Sequence, residues 1–462
     1  MERYLLPDSP VTSLDEWKEM GGGQALDIAR RLGPDETIEE LAAAGLRGRG
    51  GAGFPTARKW SGVRSAQGTH RYVVCNAAEG EPSSFKDRAL LRANPYQVVE
   101  GLAVAAATIG AREAYVGIKG SFRGELERLV GALEEMEAAG LAGDVPINVV
   151  AGPSEYLFGE EKALLEVIEG KPPLPRLFAP YEHGLFAAGS QMGWEAVPRE
   201  PGHTELDVSN PTLVNNVETL ANIAHILVGG AEWFRGMGTV ESPGHAVATV
   251  VGDVVHPGVA EIDLGMRLSD LIEEVGGGPR PGRRVKAVFS GISNPVVTAE
   301  QLDTRLTYED MAAIGSGLGA VGFAVYDDTA CMVEVAFQYS RFLWIESCGQ
   351  CPPCKLGTQE ITHRLNEIEG CRGSEDDIAV IGARLGSVTD GNRCYLPVEE
   401  QHVVGSILRA FPDEFAAHLE GDCPTPRPDL IAPVIVELEG GRVSYDEHHR
   451  RKLPDWTYED GA

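Results

Sequence analysis

The sequence predicts a multidomain α/β protein with a β-grasp-like module and a C-terminal helical bundle. Its 462 residues exceed what one hydrophobic core usually supports. The first half alternates glycine-rich turns with apolar β-type runs and helical stretches, whereas the last third repeats apolar residues at helical spacing. We therefore expect an α/β domain over residues 1–235, a β-grasp-like module over 236–331, a helical domain over 332–423 and a peripheral tail over 424–462.

Individual elements follow from the same patterns. We expect strands over 71–77 and 113–120, with a helix over 96–110 between them. In the β-grasp-like module, short strand candidates flank the amphipathic segment "RLSDLIEEVGGG", whose glycines should end a helix. The helical domain is predicted from "MVEVAFQYSRFLWIES", "TQEITHRLNEIEG" and "EEQHVVGSILRAFPDEFAAHLEG". In the tail, the adjacent His448 and His449 are expected to be solvated.

Charge and composition exclude several classes of partner. The chain has 69 acidic and 40 basic residues, a formal net charge of -29, which repels nucleic-acid phosphates and anionic lipid surfaces. It begins with no basic segment followed by an apolar one, and no run reaches the roughly 18 apolar residues of a membrane span. We expect a cytoplasmic protein that binds no nucleic acid and inserts into no membrane.

The cysteines point to a metal centre. Eight cysteines are too few for a secreted disulfide scaffold of this length, and Cys348, Cys351 and Cys354 form a C-x2-C-x2-C triple. We expect the triple to lie on a tight loop that two prolines stiffen. A triple of this spacing together with one distant cysteine is typical of a [4Fe–4S] site. Cys371 and Cys394 compete as the fourth ligand, and we favour Cys394 because a glycine precedes it and a proline follows. The same four thiols could also hold zinc.

A glycine-rich segment, "GLRGRGGAGFPTARKW" over 45–60, is the second chemical motif. Its glycines let the backbone approach a ligand closely and direct N–H groups at an anion, although plain turns are also glycine-rich. Three nearby cations, Arg47, Arg49 and Lys59, favour a phosphate-bearing cofactor in an otherwise acidic chain.

Carboxylates and amides gather at predicted element ends. Glu160 and Glu161 open a helix in "YLFGEEKALLEVIEG", where acidic residues also act as plain helix caps. The clusters "CNAAEGEP" and "PTLVNNVET" follow a strand and precede a helix, which is where ligands bind in open α/β sheets.

Taken in order, these motifs resemble one family. The glycine loop, "CNAAE", "GEE", "VNNVET", "VVGDVVHPGV", "GSGLGAVGFAVYDD" and "CGQCPPC" are similar to the F-type, FMN-binding flavoprotein subunit of respiratory complex I and to its relatives in NAD-reducing hydrogenases and NAD-dependent formate dehydrogenases. The resemblance extends over about residues 41–415. It implies a Rossmann-like FMN domain, an SLBB-type β-grasp module and a helical [4Fe–4S] domain.

The resemblance also implies residue roles. The cofactor-binding residues, of which all but Phe54 and Tyr156 would contact FMN, would be Gly48, Arg49, Gly50, Gly51, Phe54, Lys59, Asn76, Glu79, Tyr156, Gly159, Glu160, Asn215, Asn216 and Thr219. Glu79, Glu81 and Glu161 would orient flavin and nicotinamide, and Phe54 would also belong to the nicotinamide pocket. The cluster ligands would be Cys348, Cys351, Cys354 and Cys394.

Three substitutions depart from the family at the nicotinamide pocket. Ala78 stands where the family keeps an acid, Gly62 where it keeps a phenylalanine, and Phe178 where it keeps a lysine. An apparent insertion between Phe186 and Pro211 includes Trp194 and Arg199, and could cap the site or dock a partner.

The function implied is oxidation of NADH by FMN, with single electrons passing through [4Fe–4S] to an iron–sulfur partner, a thioredoxin-like [2Fe–2S] or ferredoxin-like protein, in a hetero-oligomer. One alternative is a related protein that uses NADH poorly and exchanges electrons with a ferredoxin or other donor. A second, of another class, is a non-catalytic scaffold stabilised by zinc.

Overall fold

The computed structural model describes residues 3–68, 70–187, 209–427 and 430–459. The chain forms two compact units. The first comprises Met1–Gly80, Lys86–Val247 and Glu261–Gly265; the second comprises Glu81–Phe85, Ala248–Ala260 and Met266–Ala462.

The first unit is built on a four-stranded parallel sheet. Its strands are β1 (Tyr72–Ala77), β2 (Glu113–Lys119), β3 (Ile147–Gly152) and β4 (Thr212–Asn216), in the spatial order β3-β2-β1-β4. Strand β1 is buried along most of its length, as expected for a parallel strand covered on both faces. Strand β1 pairs with β2 along one of its edges and with β4 along the other. Because the chain continues from β1 to β2 and only later adds β4 on the opposite edge, the sheet has a topological switch point between β1 and β4.

Within its described residues, this unit has ten helices that precede, connect or follow the strands. They are α1 (Leu14–Glu19), α2 (Ala25–Leu32), α3 (Pro34–Ala44), α4 (Thr56–Ser65), α5 (Lys86–Ala93), α6 (Pro95–Ile109), α7 (Arg123–Ala138), α8 (Glu161–Ile168), α9 (Val217–Gly229) and α10 (Ala231–Arg235). Helix α6 starts with a proline and ends at Gly110 in the left-handed conformation, as such a sequence favours. A Cβ at Gly101 would stand 1.9 Å from the Leu220 carbonyl oxygen, so glycine lets α6 pack directly on α9.

A second sheet has five strands in the order β6-β5-β9-β7-β8. They are β5 (His245–Gly252), β6 (Gly258–Asp263), β7 (Val285–Ser290), β8 (Val297–Thr298) and β9 (Gly322–Asp327). Strands β5 and β9 are parallel, whereas β7 pairs with β9 antiparallel, a mixed sheet. Helix α11 (Leu268–Glu274) occupies the predicted amphipathic segment, and α12 (Tyr308–Ala313) precedes β9.

The C-terminal part of the second unit is helical, as predicted. It contains α13 (Met332–Glu346), α14 (Pro352–Glu369), α15 (Glu375–Ser387), α16 (Leu396–Ala410) and α17 (Pro412–Leu419). The last predicted helical segment is divided in two because Pro412 starts a new helix. Helix α15 went unpredicted, although Ser374 begins it with a capping box.

Two expectations are corrected by the fold. The two prolines after Cys351 do not stiffen a loop, because Pro352 and Pro353 are the first residues of α14. In the tail, strands β10 (Ile435–Glu439) and β11 (Arg442–Tyr445) form a hairpin. His448 is exposed as expected, but His449 is not solvated, since its Nε2 lies 2.9 Å from Glu346 Oε1.

No helix in the described part of the chain has the length and apolar character to cross a membrane.

Candidate functional site

The carboxyl ends of β1 and β4 bring the two polar motifs together. Asn76 on β1 is the register partner of Asn216 on β4, and Cys75 is the partner of Asn215. Asn215 is buried and accepts a hydrogen bond of 2.9 Å from Trp60 Nε1. The amides predicted from two distant segments therefore lie side by side at the switch point, where open α/β sheets bind ligands.

The glycine-rich loop lies against this sheet edge. A Cβ at Gly50 would stand 3.2 Å from the Asn216 Cβ, and the Arg49 backbone N donates to Thr219 Oγ1 at 2.9 Å. Gly51 has a φ of 120°, a backbone conformation that side chains disfavour. Gly48 N donates to the Phe54 carbonyl at 2.9 Å, which closes the loop. The loop thus has glycine at the positions where backbone and sheet edge meet.

The predicted cations of the loop do not share one role. Arg49 is buried, and its guanidinium donates to the His245 carbonyl at 3.0 Å instead of facing the loop surface. Arg47 Nε donates to the Gly53 carbonyl at 2.7 Å, holding the loop itself. Lys59 Nζ lies 2.9 Å from Glu161 Oε2, with both side chains partly exposed. Of the three cations, Lys59 is therefore the best placed to meet a ligand.

Glu160 is the N-cap of α8. Its carboxylate accepts hydrogen bonds from Lys162 N at 2.9 Å and Ala163 N at 3.1 Å, so the capping role weighed from the sequence is present. Burial raises the pKa of Glu160 to about 7. The preceding Gly159 accepts from Asn76 Nδ2 at 2.7 Å, and a Cβ there would stand 3.0 Å from the Ala78 carbonyl oxygen. The start of α8 is thus tied to the end of β1.

Glu79 lies in a buried ion pair. Its carboxylate accepts from Arg88 Nε at 3.0 Å and from Asp87 N at 3.0 Å. Burial opposes its ionisation, but the charges of Arg88 and Lys86 hold the pKa of Glu79 below its usual value. Glu79 is therefore ionised and fixed in position, which suits an orienting carboxylate and not a proton donor.

Sequence reasoning missed a neighbouring network centred on Lys86. Its ammonium lies 2.7 Å from Asp87 Oδ1, 2.9 Å from Asn216 Oδ1 and 3.0 Å from Glu218 Oε2. Asn216 Nδ2 donates to Asp87 Oδ2 at 2.7 Å, so the oxygen and the nitrogen of this amide both take part in the network. The only sequence signal was the run of three charged residues in "FKDR", at the start of α5.

A second missed residue is Lys119, the last residue of β2. It is buried, and a Cβ at Gly80 would stand 2.5 Å from its ammonium and 3.7 Å from Tyr156 Cδ2. The lysine therefore lies beside the "CNAAEG" turn, at the same edge of the sheet as Asn76. Its position at the carboxyl end of an apolar strand was the available signal.

Two further candidates, Glu81 and Phe54, have surroundings of their own. Glu81 belongs to the second unit, where its Oε1 accepts from Ser293 Oγ at 2.6 Å and from Ile292 N at 3.2 Å. Phe54 is 48% exposed, with the Arg58 guanidinium 5.4 Å from its ring centre. An exposed aromatic ring of this kind is available for stacking.

The three substituted positions have distinct surroundings. Ala78 is buried, and Gly62 has no heavy atom within 4 Å of where a Cβ would stand. Phe178 packs on His183, with ring centres 4.7 Å apart. Most of the insertion, with Trp194 and Arg199, lies outside the described residues.

The cysteine triple surrounds the start of α14. Cys351 is the N-cap and Cys354 is in the first turn. Burial raises the pKa of the Cys354 thiol, and the neighbouring Cys348 and Cys351 raise it further, so the three thiols lie close together. Such a group of thiols needs a metal to be ionised together.

The fourth thiol can be judged from the length of α14. Helix α14 extends from Cys354 to Glu369 over about 22 Å, and Cys371 follows its end. A [4Fe–4S] cluster is far smaller than this distance, so Cys371 does not fit the same site. Cys394 precedes α16, and Glu400 of α16 acts on the pKa of Cys354, which supports Cys394 as the fourth ligand.

Comparisons with known proteins agree with these two sites. Residues 41–225 match the Nuo51 FMN-binding domain, residues 247–294 the SLBB domain, and residues 334–418 the NADH-ubiquinone oxidoreductase-F iron-sulfur binding region. The second F-type NADH-quinone oxidoreductase subunit of Rhizobium meliloti (strain 1021) is 38% identical over 427 residues, covering 89% of this chain and 96% of the relative. The chain belongs to this family of F-type NADH-quinone oxidoreductase subunits.

Hydrogenase subunits of the same family are also similar. NADP-reducing hydrogenase subunit HndC of Solidesulfovibrio fructosivorans is 33% identical, covering 89% of this chain and 82% of the relative. A solved structure of NAD+-reducing [NiFe]-hydrogenase in the H2-reduced state aligns with a TM-score of 0.76 at 32% identity, covering 89% of this chain and 67% of that chain. The predicted fold class and the FMN and [4Fe–4S] cofactors are confirmed.

Proposed function

We propose that this chain oxidises NADH at FMN and passes electrons one at a time through [4Fe–4S] to a partner protein. The observation that carries the proposal is the presence, in one chain, of a glycine loop against an α/β switch point and a cysteine triple at a helix start. A flavin accepts two electrons as hydride, whereas an iron–sulfur cluster accepts one. A chain that binds both groups can therefore accept a hydride from a two-electron donor and pass the electrons on one at a time.

For FMN, we propose that the loop from Gly48 to Gly51 binds the phosphate and ribityl end. The glycines at 50 and 51 fit such a ligand because backbone N–H groups can approach it without side-chain hindrance. Lys59 would supply a charge, while Arg49 would act through its buried guanidinium, which holds the loop. Asn76, Asn215, Asn216 and Thr219 would position the loop and the flavin edge.

For NADH, we propose that Phe54 stacks on the cofactor and that Glu79 and Glu161 orient flavin and nicotinamide. Glu161 is partly exposed and paired with Lys59, so both can exchange partners when a ligand binds. Tyr156, Gly159 and Glu160 complete the proposed set in the first unit, and we propose Glu81 from the family resemblance alone. Hydride transfer requires no separate general acid or base, which agrees with the ionised state of Glu79.

For the cluster, we propose ligation by Cys348, Cys351, Cys354 and Cys394. The pKa of the Cys354 thiol is raised by burial and by its two neighbouring thiols, so metal binding would supply the charge that stabilises the thiolates. The distance of Cys371 along α14 supports the choice of Cys394.

Relatives named as NADH-quinone oxidoreductase and hydrogenase subunits are, by those names, parts of larger assemblies. We propose that this chain likewise works in a hetero-oligomer, with a thioredoxin-like [2Fe–2S] or ferredoxin-like protein as acceptor, and that it is cytoplasmic. One chain carries one cluster motif, so the electrons must continue in another protein.

A second candidate is favoured by the pocket substitutions. Ala78, Gly62 and Phe178 remove an acid, an aromatic ring and a cation. A chain with these losses could use NADH poorly and exchange electrons with a ferredoxin or another donor. Anaerobic reduction of the holoprotein by NADH, NADPH and a reduced ferredoxin in parallel distinguishes the two: fast bleaching by NADH supports the first, and fast bleaching by ferredoxin alone supports the second.

A further inference from the structure

A second group of metal-binding side chains lies in the helical domain. The ligand atoms of Cys331, His418 and Cys423 are all within 4.8 Å of one another. Cys331 is the N-cap of α13, His418 is in the last turn of α17, and Cys423 follows α17. Cys331 and His418 are buried at 2% and 1% exposure. Three separate chain segments thus present soft ligand atoms to one point.

The orientation of His418 suits metal binding. Its Nδ1 lies 3.1 Å from the carbonyl oxygens of Ile368 and Glu369. Because a carbonyl can only accept, Nδ1 carries the proton and Nε2 has the free lone pair. Nε2 faces Cys331 Sγ at 3.3 Å. A histidine that binds a metal through one nitrogen while donating its other N–H to a carbonyl is the usual arrangement at metal sites.

Cys371 is a near neighbour but lies on the other side of the ring. Its Sγ is 3.8 Å from Nδ1 of His418, the nitrogen that donates to the carbonyls. A metal bound at Nε2 would therefore not face this thiol. Cys371 serves as an internal comparison because it has the same chemistry and a nearby position.

We propose that Cys331, His418 and Cys423 bind one Zn²⁺ ion, at a site separate from the iron–sulfur cluster. Thiolate and imidazole together favour zinc, with bonds of about 2.3 Å to sulfur and about 2.1 Å to nitrogen. At a tetrahedral angle those bonds place sulfur and nitrogen roughly 3.5 Å apart, close to the separation of Cys331 and His418. Water would occupy the fourth position.

The ion would act as a structural clip. It joins the start of α13 to the end of α17 and to the segment that leaves the helical domain. Glu414, in the first turn of α17, already links α13 to the opposite end of α17, since it accepts from Met332 N at 2.9 Å. Zinc would add the third connection, through Cys423, and fix where the tail leaves the bundle.

The test is metal content in anaerobically purified, full-length holoprotein. Zinc, iron and FMN are measured per chain in the wild type, Cys331→Ser, Cys423→Ser and the control Cys371→Ser. We expect about one zinc in the wild type and the control, a loss of at least tenfold in the other two variants, and unchanged iron. Zinc-edge X-ray absorption should show two sulfur neighbours and one histidine nitrogen.

Wild-type protein alone also tests the proposal, should a variant fail to fold. Treatment with a mild chelator should remove zinc while the flavin and cluster absorption bands persist, and added Zn²⁺ should rebind at one equivalent. Wild type with a full cluster but no zinc, before and after incubation with Zn²⁺, would overturn the proposal. So would a disulfide between Cys331 and Cys423, or zinc loss in Cys371→Ser equal to that in Cys331→Ser.

Discussion

Gly50 lies so close to Asn216 that a Cβ on the glycine would stand 3.2 Å from the asparagine Cβ. The glycine loop and the carboxyl end of β4, separated by more than 150 positions in the sequence, therefore form one surface. This contact is the basis for assigning the loop to the FMN site.

Gly51→Val should abolish FMN binding. The φ of 120° at Gly51 is strained for any side chain, and a branched one would also occupy the approach to the backbone amides. Flavin released by acid from purified protein measures the effect. Gly131→Val is the matched control, because Gly131 lies in α7 with no heavy atom within 4 Å of an added Cβ. Normal FMN content in Gly51→Val would contradict the loop assignment. In the wild type, FAD should not replace FMN.

The cluster assignment predicts opposite results at two cysteines. Anaerobically purified protein should contain about four iron and four sulfide per chain. Cys394→Ser should damage the cluster, whereas Cys371→Ser should leave it intact, because about 22 Å of helix separates Cys354 from the end of α14, which Cys371 follows. Iron, sulfide and visible absorption are measured for both variants. An intact cluster in Cys394→Ser would show that the fourth ligand lies elsewhere.

The altered nicotinamide pocket should bind NADH weakly. Loss of a stacking ring costs about 0.5–1.5 kcal/mol and loss of a charged contact about 1.5–3 kcal/mol, which together lower the affinity by roughly one to three orders of magnitude. Deleting residues 188–208 should weaken flavin reduction further, if Trp194 and Arg199 compensate. Micromolar NADH turnover that survives this deletion would indicate that the substitutions are neutral.

The same pocket offers a gain-of-function change. Gly62→Phe should raise NADH affinity by about two- to tenfold, because α4 has open space there and a stacked ring contributes about 0.5–1.5 kcal/mol. Gly62→Ala controls for the helix effect of removing glycine. The dissociation constant from stopped-flow flavin reduction is the measurement, and equal values for the two variants would remove position 62 from the pocket.

Local patterns predicted strands β1 and β2, helices α6, α8 and α11, and the C-terminal helices apart from α15. The strand before "CNAAEG", the helix ended by Gly110 and the cap at Glu160 depend on nearby sequence, so they were within reach. The Lys86 network could not be predicted from nearby sequence, and neither could the burial of the Arg49 guanidinium. Their partners, such as Glu218 and His245, come from distant segments. The separation of Cys371 from the cluster needed the full extent of α14.

A pH prediction follows from Glu261. Its carboxylate accepts from the backbone N of Leu5 at 2.8 Å, and burial raises its pKa to about 7. Because the pKa is raised, the Glu261 carboxyl keeps its proton to a higher pH in the folded state than in the unfolded state. Its stabilising contribution to the free energy of unfolding is therefore complete below about pH 4.5 and is lost as the pH rises through 7. Between pH 5 and 8 the wild type should lose about 1–3 kcal/mol relative to Glu261→Gln. Thermal melts at both pH values test this, with exposed Glu439→Gln as control; parallel profiles would contradict it.

Anaerobic titration of the reconstituted holoprotein with NADH tests the central proposal most directly. We predict that NADH bleaches the flavin band first and that the iron–sulfur absorption and its electron paramagnetic resonance signal then change, in proportion to the electrons added. Bound FMN and an intact cluster that stay oxidised at millimolar NADH, yet are reduced by dithionite, would contradict NADH oxidation as the function.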